Sequence, residues 1–397
     1  MRSVLRMDIS LVAVLLLGLR MAGCAAGEDQ PSAEGSVDDA GADSPRVTDA
    51  AGSDDGASDG GAPPVTGPCS EDGWCRVDMP NDRAALYGIW GSATNDVWTV
   101  GSNGTILHWN GTAWSEQRLL TDAGQPKPLF GIWGSGPNDV WAFTSFELLH
   151  ATGWNETATD WSSFEMIRRV GNPTSVVAGI WGSGKADVWT IVGSAGAAFS
   201  TLTRCFHSEG WVDGGVAQVA ALDFYRAPGT GMNFLAMWGT GPKDVWLVGE
   251  SGRILHTDGF WGGAAQWTQT NSNTRSHLRG VWGTATDDVW AVGAIGTIRH
   301  YTYNEGGELY WGPSDSTTTE TLNAIWGSSA SDVWVVGAEG TILHGDGSSW
   351  TRSRVPEVPP STTFNAIWGS GPDDIWVVGD RVILHRGGSA GVGGGTK

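Results

Sequence analysis

Seven of the eight histidines, His108, His150, His207, His256, His300, His344 and His385, stand at matching places in a repeated block. Seven aspartates do the same: Asp96, Asp139, Asp187, Asp244, Asp288, Asp332 and Asp374, each two residues before a tryptophan. These side chains bind metals or move protons when several converge on one point in an asymmetric constellation. One of each per repeat distributes them instead, so both sets are expected to be structural. Aspartate at the end of a turn can bond turn amides, and that is the role expected here. No catalytic residue, metal ligand or cofactor follows from either set.

The block that carries them is Gly88-Ile89-Trp90-Gly91-Ser92, then Asp96-Val97-Trp98. Its first tryptophan recurs at Trp90, Trp133, Trp181, Trp238, Trp282, Trp326 and Trp368, and a second follows eight residues later each time. The spacing of the copies, 42 to 57 residues, is that of one four-stranded propeller blade. The first copy reads as strands over 86–92, 96–101, 105–109 and 113–118, separated by turn residues such as Asn103-Gly104 and Asn110-Gly111. Asn-Gly supplies the backbone angles that tight hairpins require. The expected fold is therefore all-β, a seven-bladed β-propeller of four-stranded antiparallel blades.

The innermost strand fits a wedge. Glycine or alanine stands two residues before each first tryptophan, and glycine always follows it. Small residues let inner strands crowd at the axis while tryptophans fill the widening space between blades. Each buried tryptophan contributes roughly 4–6 kcal/mol of transfer free energy as an upper bound. The seventh copy stops after its third strand, at Ile383-Leu384-His385. An unused strand-like segment, Gly73-Trp74-Cys75-Arg76-Val77, precedes the first copy. It is expected to complete blade seven and close the ring, which removes exposed sheet edges. Cys69 and Cys75 flank this segment and are expected to form a disulfide. Cys205 falls at a core position of its copy and is expected to be a buried apolar residue.

The N-terminus reads as an export signal: Arg2 and Arg6, an apolar stretch over 9–19, then Met21-Ala22-Gly23-Cys24. The stretch is too short for a membrane span. Residues 1–23 are expected to be a lipoprotein-type signal peptide and Cys24 the lipidated residue. An ordinary signal peptide cut near Ala22 to Ala26 would also mean export. Residues 24–68 contain no aromatic residue and ten acids against one arginine, Arg46. Such a segment cannot bury enough apolar surface to fold, and its like charges extend it. It is expected to be a tether for a propeller over 69–386, with 387–397 a Gly-rich flexible tail. The expected location is the outer membrane or cell surface, with the periplasmic side open. The net charge of −20 and the lack of a basic stripe argue against nucleic acid.

The cadence Ile-Trp-Gly-Ser-x-x-x-Asp-Val-Trp…Gly-Thr-Ile-Leu-His, over 81–386, resembles a tandem repeat of exported myxobacterial and related bacterial proteins. The cadence Val-Trp-x-Val-Gly-x-x-Gly-Thr-Ile-x-His-Trp-x-Gly also resembles tectonin-type propeller lectins, a resemblance that implies a propeller fold and glycan binding. A third resemblance, to neuraminidase-like chains, fails on particulars. The Asp-box pattern Ser-x-Asp-x-Gly-x-x-Trp is not met. The arginine triad and Tyr–Glu pair of sialidases cannot be assembled from the five tyrosines and the arginines present.

The residues that break the repeat concentrate in the connections from the fourth strand of one blade to the first of the next, over 118–129, 161–177, 212–233, 268–278, 313–321 and 352–363. These share one face of a propeller. Trp161, Arg168, Arg169, Phe224, Tyr225, Arg226, Arg275 and Arg279 lie in or beside them, and arginines and aromatics suit a saccharide or protein surface. The expectation is a non-catalytic, monomeric binding or adhesion module for glycans or proteins at the cell envelope. The alternatives are a sialidase-like hydrolase and a purely structural scaffold.

Overall fold

The computed structural model describes residues 68–155, 159–166, 175–194, 204–211, 234–261 and 264–387. The signal segment, Cys24, the acidic tether and most of the Gly-rich tail lie outside these residues. The described chain forms a seven-bladed β-propeller of antiparallel blades. We number the blades one to seven and letter the strands of each A to D from the axis outward.

Blade one comprises Leu86–Ala93, Asp96–Gly101, Thr105–Trp109 and Trp114–Arg118. The sequence reading placed these bounds to within a residue. Blades two, four, five and six repeat the A-B-C-D order. Blade three shows three strands, Ser175–Gly184, Asp187–Ser194 and Arg204–Ser208. The connection that follows, 212–233, lies outside the described residues.

Strands A and B pair so that the two motif tryptophans of a blade face each other across the ladder, as in Trp90↔Trp98 and Trp368↔Trp376. Directly opposed residues share a sheet face. Both rings therefore point at the same neighbouring blade. The first ring ends on the glycine that follows the next blade's first tryptophan. A Cβ built on Gly134 would lie 2.6 Å from Trp90 Cη2, and one on Gly182 would lie 2.7 Å from Trp133 Cη2. The same seating runs around the whole ring and ends with Trp368 on Gly91. That is why glycine never varies at this position. The glycine two residues before the first tryptophan faces the next blade's strand A: a Cβ on Gly88 would meet Gly131 Cα at 2.9 Å.

The second ring meets a tryptophan of the next blade's outer strand or outer hairpin edge-on. Trp98 meets Trp161, Trp141 meets Trp211, Trp246 meets Trp311 and Trp290 meets Trp350, at 5.4–6.1 Å. Outer-strand indoles also donate across the joint: Trp311 Nε1 to Thr270 Oγ1 and Trp350 Nε1 to Ser314 Oγ.

Closure follows the same rules. Trp74–Arg76 is strand D of blade seven, paired with Val382–Gly387 through Trp74↔Arg386 and Arg76↔Leu384. Trp74 is fully buried, lies edge-on to Trp334 at 5.5 Å, and donates its indole N–H to Ser353 Oγ. The disulfide Cys69–Cys75 fixes the loop before this strand. Asp72 on that loop accepts hydrogen bonds from Ser353 Oγ and the Arg354 backbone N–H, and Glu71 pairs with Arg354. The loop thus ties blade seven to blade six. Cys205 is buried.

Candidate functional site

The histidines and aspartates of the repeat are brought together, one pair in each blade. Imidazole Nε2 lies 2.6–2.8 Å from aspartate Oδ1 in all seven. The indole N–H of the second tryptophan donates to the same oxygen in six blades, at 2.9–3.3 Å. In blade five Trp290 instead stacks on His300 at 3.6 Å. The other carboxylate oxygen accepts from the serine or threonine four residues earlier, as in Ser135 to Asp139 at 2.6 Å. A ladder irregularity after each Trp-Gly pair, between Gly134 and Gly136 in blade two, aims that hydroxyl at the carboxylate, as bulges do.

The expected bonds to turn amides are largely replaced by these side-chain bonds; a backbone donor, Thr240 N–H, reaches Asp244 at 3.3 Å. Period-two patterning assigns faces to strands but not ladder partners. The ladder sets His108 opposite Trp98, two residues from Asp96.

Burial, the largest influence on Asp96, Asp139, Asp187 and Asp244, pulls their pKa up. It is outweighed by the hydrogen bond and charge of the histidine and by the hydroxyl, so each carboxyl lies below the ordinary aspartate value. For Asp288 the His300 bond leads and burial opposes, with the same result.

Each carboxylate stands between hydroxyl and imidazole. The hydroxyl bonds the aspartate and not the base, which reverses the order that activates a nucleophile. The unit ties strands A, B and C of a blade together.

The loop-face candidates divide. Arg168, Arg169, Phe224, Tyr225 and Arg226 lie outside the described residues. Arg275 is exposed in the connection from blade four to blade five. Arg279 is half-buried in strand A of blade five, Leu278–Ala285. Trp161 stands just before strand D of blade two, Ser162–Glu165, half-buried and edge-on to Trp98 at 6.1 Å, 88°. The sequence reading began the D-to-A connection at 161 and 268. The structure continues strand D through Glu165 and Asn271. The outer hairpins of these blades are longer than that of blade one, which displaces strand D along the chain.

Three features of this face were missed. Antiparallel alternation puts the B-to-C turns on the same face as the D-to-A connections. Ile295, at the tip of one such turn, is 72% exposed and has φ 55°. The matching residues Asn103, Ser251, Glu339 and Arg381 also have positive φ. Left-handed backbone is uncommon for any of these, but for a β-branched side chain it is strained. Leu120 and Phe146, each 48% exposed, lie on the same face.

The third feature is a ring three residues before each first tryptophan, where the copies differ most in chemical character inside strand A. It holds Tyr87, Phe130, Ala178, Leu235, Arg279, Asn323 and Asn365. Tyr87 and Phe130 stack at 5.7 Å. Asn323 Nδ2 donates to Phe364 O and Asn365 Nδ2 to Leu86 O, each bridging to the next blade. Variation inside an otherwise constant strand was the signal available for it.

No family model and no curated protein matches the chain. Among solved structures it is similar to YCF48 bound to D1 peptide, with a TM-score of 0.60 and 16% identity over 83% of this chain and 100% of that one. YCF48 from Cyanidioschyzon merolae gives 0.60 and 16%, over 79% and 99%. The WD40 β-propeller domain of Doa1 gives 0.53 and 11%, over 77% and 93%. What these proteins share with the chain is the fold, and that fold is the β-propeller.

Proposed function

We propose that the chain is a non-catalytic docking module, exported and held at the cell envelope through Cys24, which binds a protein segment on its D-to-A face. The observation that carries this reading is Ile295. An exposed isoleucine in left-handed backbone is strained and gains nothing from burial, while the polar residues Asn103, Ser251, Glu339 and Arg381 fill the same place elsewhere. Strain without a packing return points to contact with a partner. Leu120 and Phe146 add apolar surface and Arg275 adds charge on this face, a mixture that suits protein interfaces. A structurally similar protein, YCF48, has been solved with a bound peptide, which supports a peptide-like partner.

The decisive variant is Ile295→Asn. Asparagine accepts positive φ readily, so the variant should be more stable than the parent by about 0.5–1 kcal/mol. It should nevertheless recover less of the partner captured from envelope extracts by the parent chain. A variant that is stabilised and still captures the partner in full would refute the docking role. Arg275→Ser should weaken capture and reduce its salt sensitivity. Anchoring has its own test: a fatty-acid analogue should label the parent and not Cys24→Ala, and equal labelling would refute it.

A further inference from the structure

The seven histidines differ in what covers them. In blades one and two a tryptophan of the following blade stacks on the imidazole: Trp154 on His108 at 4.8 Å and Trp211 on His150 at 4.9 Å. Those histidine side chains are 8% and 6% exposed. His344 in blade six stacks on its own Trp334 at 4.1 Å but is 36% exposed, the most open of the seven. Beside it lies a groove of about 470 Å³ between blades six and seven. That is within the range of small-molecule sites, about 300–1,000 Å³.

The groove occurs where the two ends of the propeller meet, so one wall is the disulfide loop and not a repeat hairpin. Its charge is unlike that of the chain. Arg352, Arg354 and Arg386 face Glu71 and Asp72. Glu71 is paired with Arg354. The Arg386 guanidinium donates to the Asp72 and Pro372 carbonyls and lies over Trp334 at 5.0 Å. Arg352 donates one N–H to Glu339 O. Carbonyls orient these guanidiniums without neutralising them. The groove therefore holds an excess of one positive charge in a protein of net charge −20. Thr351 and the Asp72 carboxylate, which has further lone pairs, add hydrogen-bonding groups around the open imidazole face.

We propose that this groove binds a carboxylated sugar ring, the uronic or sialic acid unit of a glycan. The C–H face of the sugar stacks on His344, where Trp154 and Trp211 stack on their histidines. The carboxylate meets Arg352 and Arg386, and Thr351 and Asp72 take ring hydroxyls. An apolar peptide segment would leave these polar groups unused. The groove reaches the docking face at Arg352 and Arg354, but it uses none of Ile295, Leu120, Phe146 and Arg275, so the proposal does not rest on that reading.

The test is titration of the purified full chain with D-glucuronate, N-acetylneuraminate and D-glucose, read by calorimetry and protein NMR. At least one of the two acids should bind with a millimolar Kd, about tenfold or more tighter than glucose. Arg352→Ser should weaken that binding about tenfold, the loss of one charge-assisted contact, without lowering thermal stability. His344→Phe should keep it within about threefold while His344→Ala abolishes it. Failure of both acids to bind, equal binding of glucose, or indifference to Arg352→Ser would overturn the proposal. So would saturation of the groove by an acidic peptide in place of the sugars.

Discussion

Replacing Gly134 with alanine should loosen one joint of the ring. The added Cβ would lie 2.6 Å from Trp90 Cη2 and 2.7 Å from Asp139 O. One obstacle is the far edge of a buried indole and the other is backbone, so neither can move alone. Overpacking of this kind costs about 1–3 kcal/mol, and two hard contacts place it at the upper end, about 3 kcal/mol. For a domain of this size that is a fall of roughly 4–5 °C in Tm. Gly136, two residues on in the same strand, is the control, because a Cβ there meets nothing within 4 Å. Gly136→Ala should be neutral or stabilising by about 0.4–1 kcal/mol. A second change locates the cause. Trp90→Phe removes the edge that meets Gly134, and since the Trp90 indole nitrogen has no hydrogen-bond partner, it costs volume only. The double variant should be less destabilised than the two single effects summed, by about 1 kcal/mol or more. Thermal and urea unfolding followed by tryptophan fluorescence measure all four proteins. Equal stability of Gly134→Ala and Gly136→Ala, or strict additivity with Trp90→Phe, would refute the seating of one blade's ring on the next blade's glycine.

Asp139→Ala leaves the Trp141 N–H, the Ser135 hydroxyl and His150 without their acceptor and should cost about 3–5 kcal/mol. Asp139→Asn, which keeps an acceptor, should cost less in urea titrations. Folded-state pKa values of Asp96, Asp139, Asp187, Asp244 and Asp288 lie below the ordinary value. Their contribution is therefore complete above the unfolded pKa of about 3.9 and is lost as pH falls through the folded values. Stability should be flat from neutrality to about pH 5 on their account and drop steeply below about pH 4, with net proton uptake on acid unfolding measurable by potentiometry. Reduction of Cys69–Cys75, or Cys75→Ser, should cost about 2 kcal/mol for so short a loop. Deleting residues 69–78 should cost much more, because it also removes Trp74 from between blades six and seven; unchanged melting of that deletion would contradict the closure.

Much of the architecture was legible because each copy reports on the others. Strand B of blade one was read as 96–101 and strand C as 105–109, the bounds found, since glycine and asparagine turns punctuate both. Trp74 was placeable because blade seven lacked a fourth strand and one strand-like segment was left over. The disulfide followed from the same segment. What could not be read was anything that depends on two blades at once. Glycine after each first tryptophan looked like a wedge adaptation, whereas its partner is the indole of the preceding blade. Trp161 was assigned to a connection because hairpin length varies freely between copies and shifts strand D. Ile295 hid in plain alignment with Asn103: a turn position shows its residue type in sequence, and its strain only once φ is known. The site residues were least legible because loops do not follow the periodicity of the core.

The seating of Trp368 on Gly91 has a further consequence. Every joint in the ring uses unlike surfaces in the same rotational sense, which is the geometry of a head-to-tail oligomer written into one polypeptide. The joint between blades seven and one, crossed by residues 77–85, repeats the ring-on-glycine contact of the other six. The break in the chain lies inside blade seven, where ladder pairing of Trp74–Arg76 with Val382–Gly387 replaces a covalent link. Moving the chain termini to a D-to-A connection, while linking strand C of blade seven to the disulfide loop, preserves every inter-blade contact. The position of the break is a choice of where the ends emerge. In this chain the described ends lie at the outer edge of blade seven, beside the disulfide loop that packs against blade six.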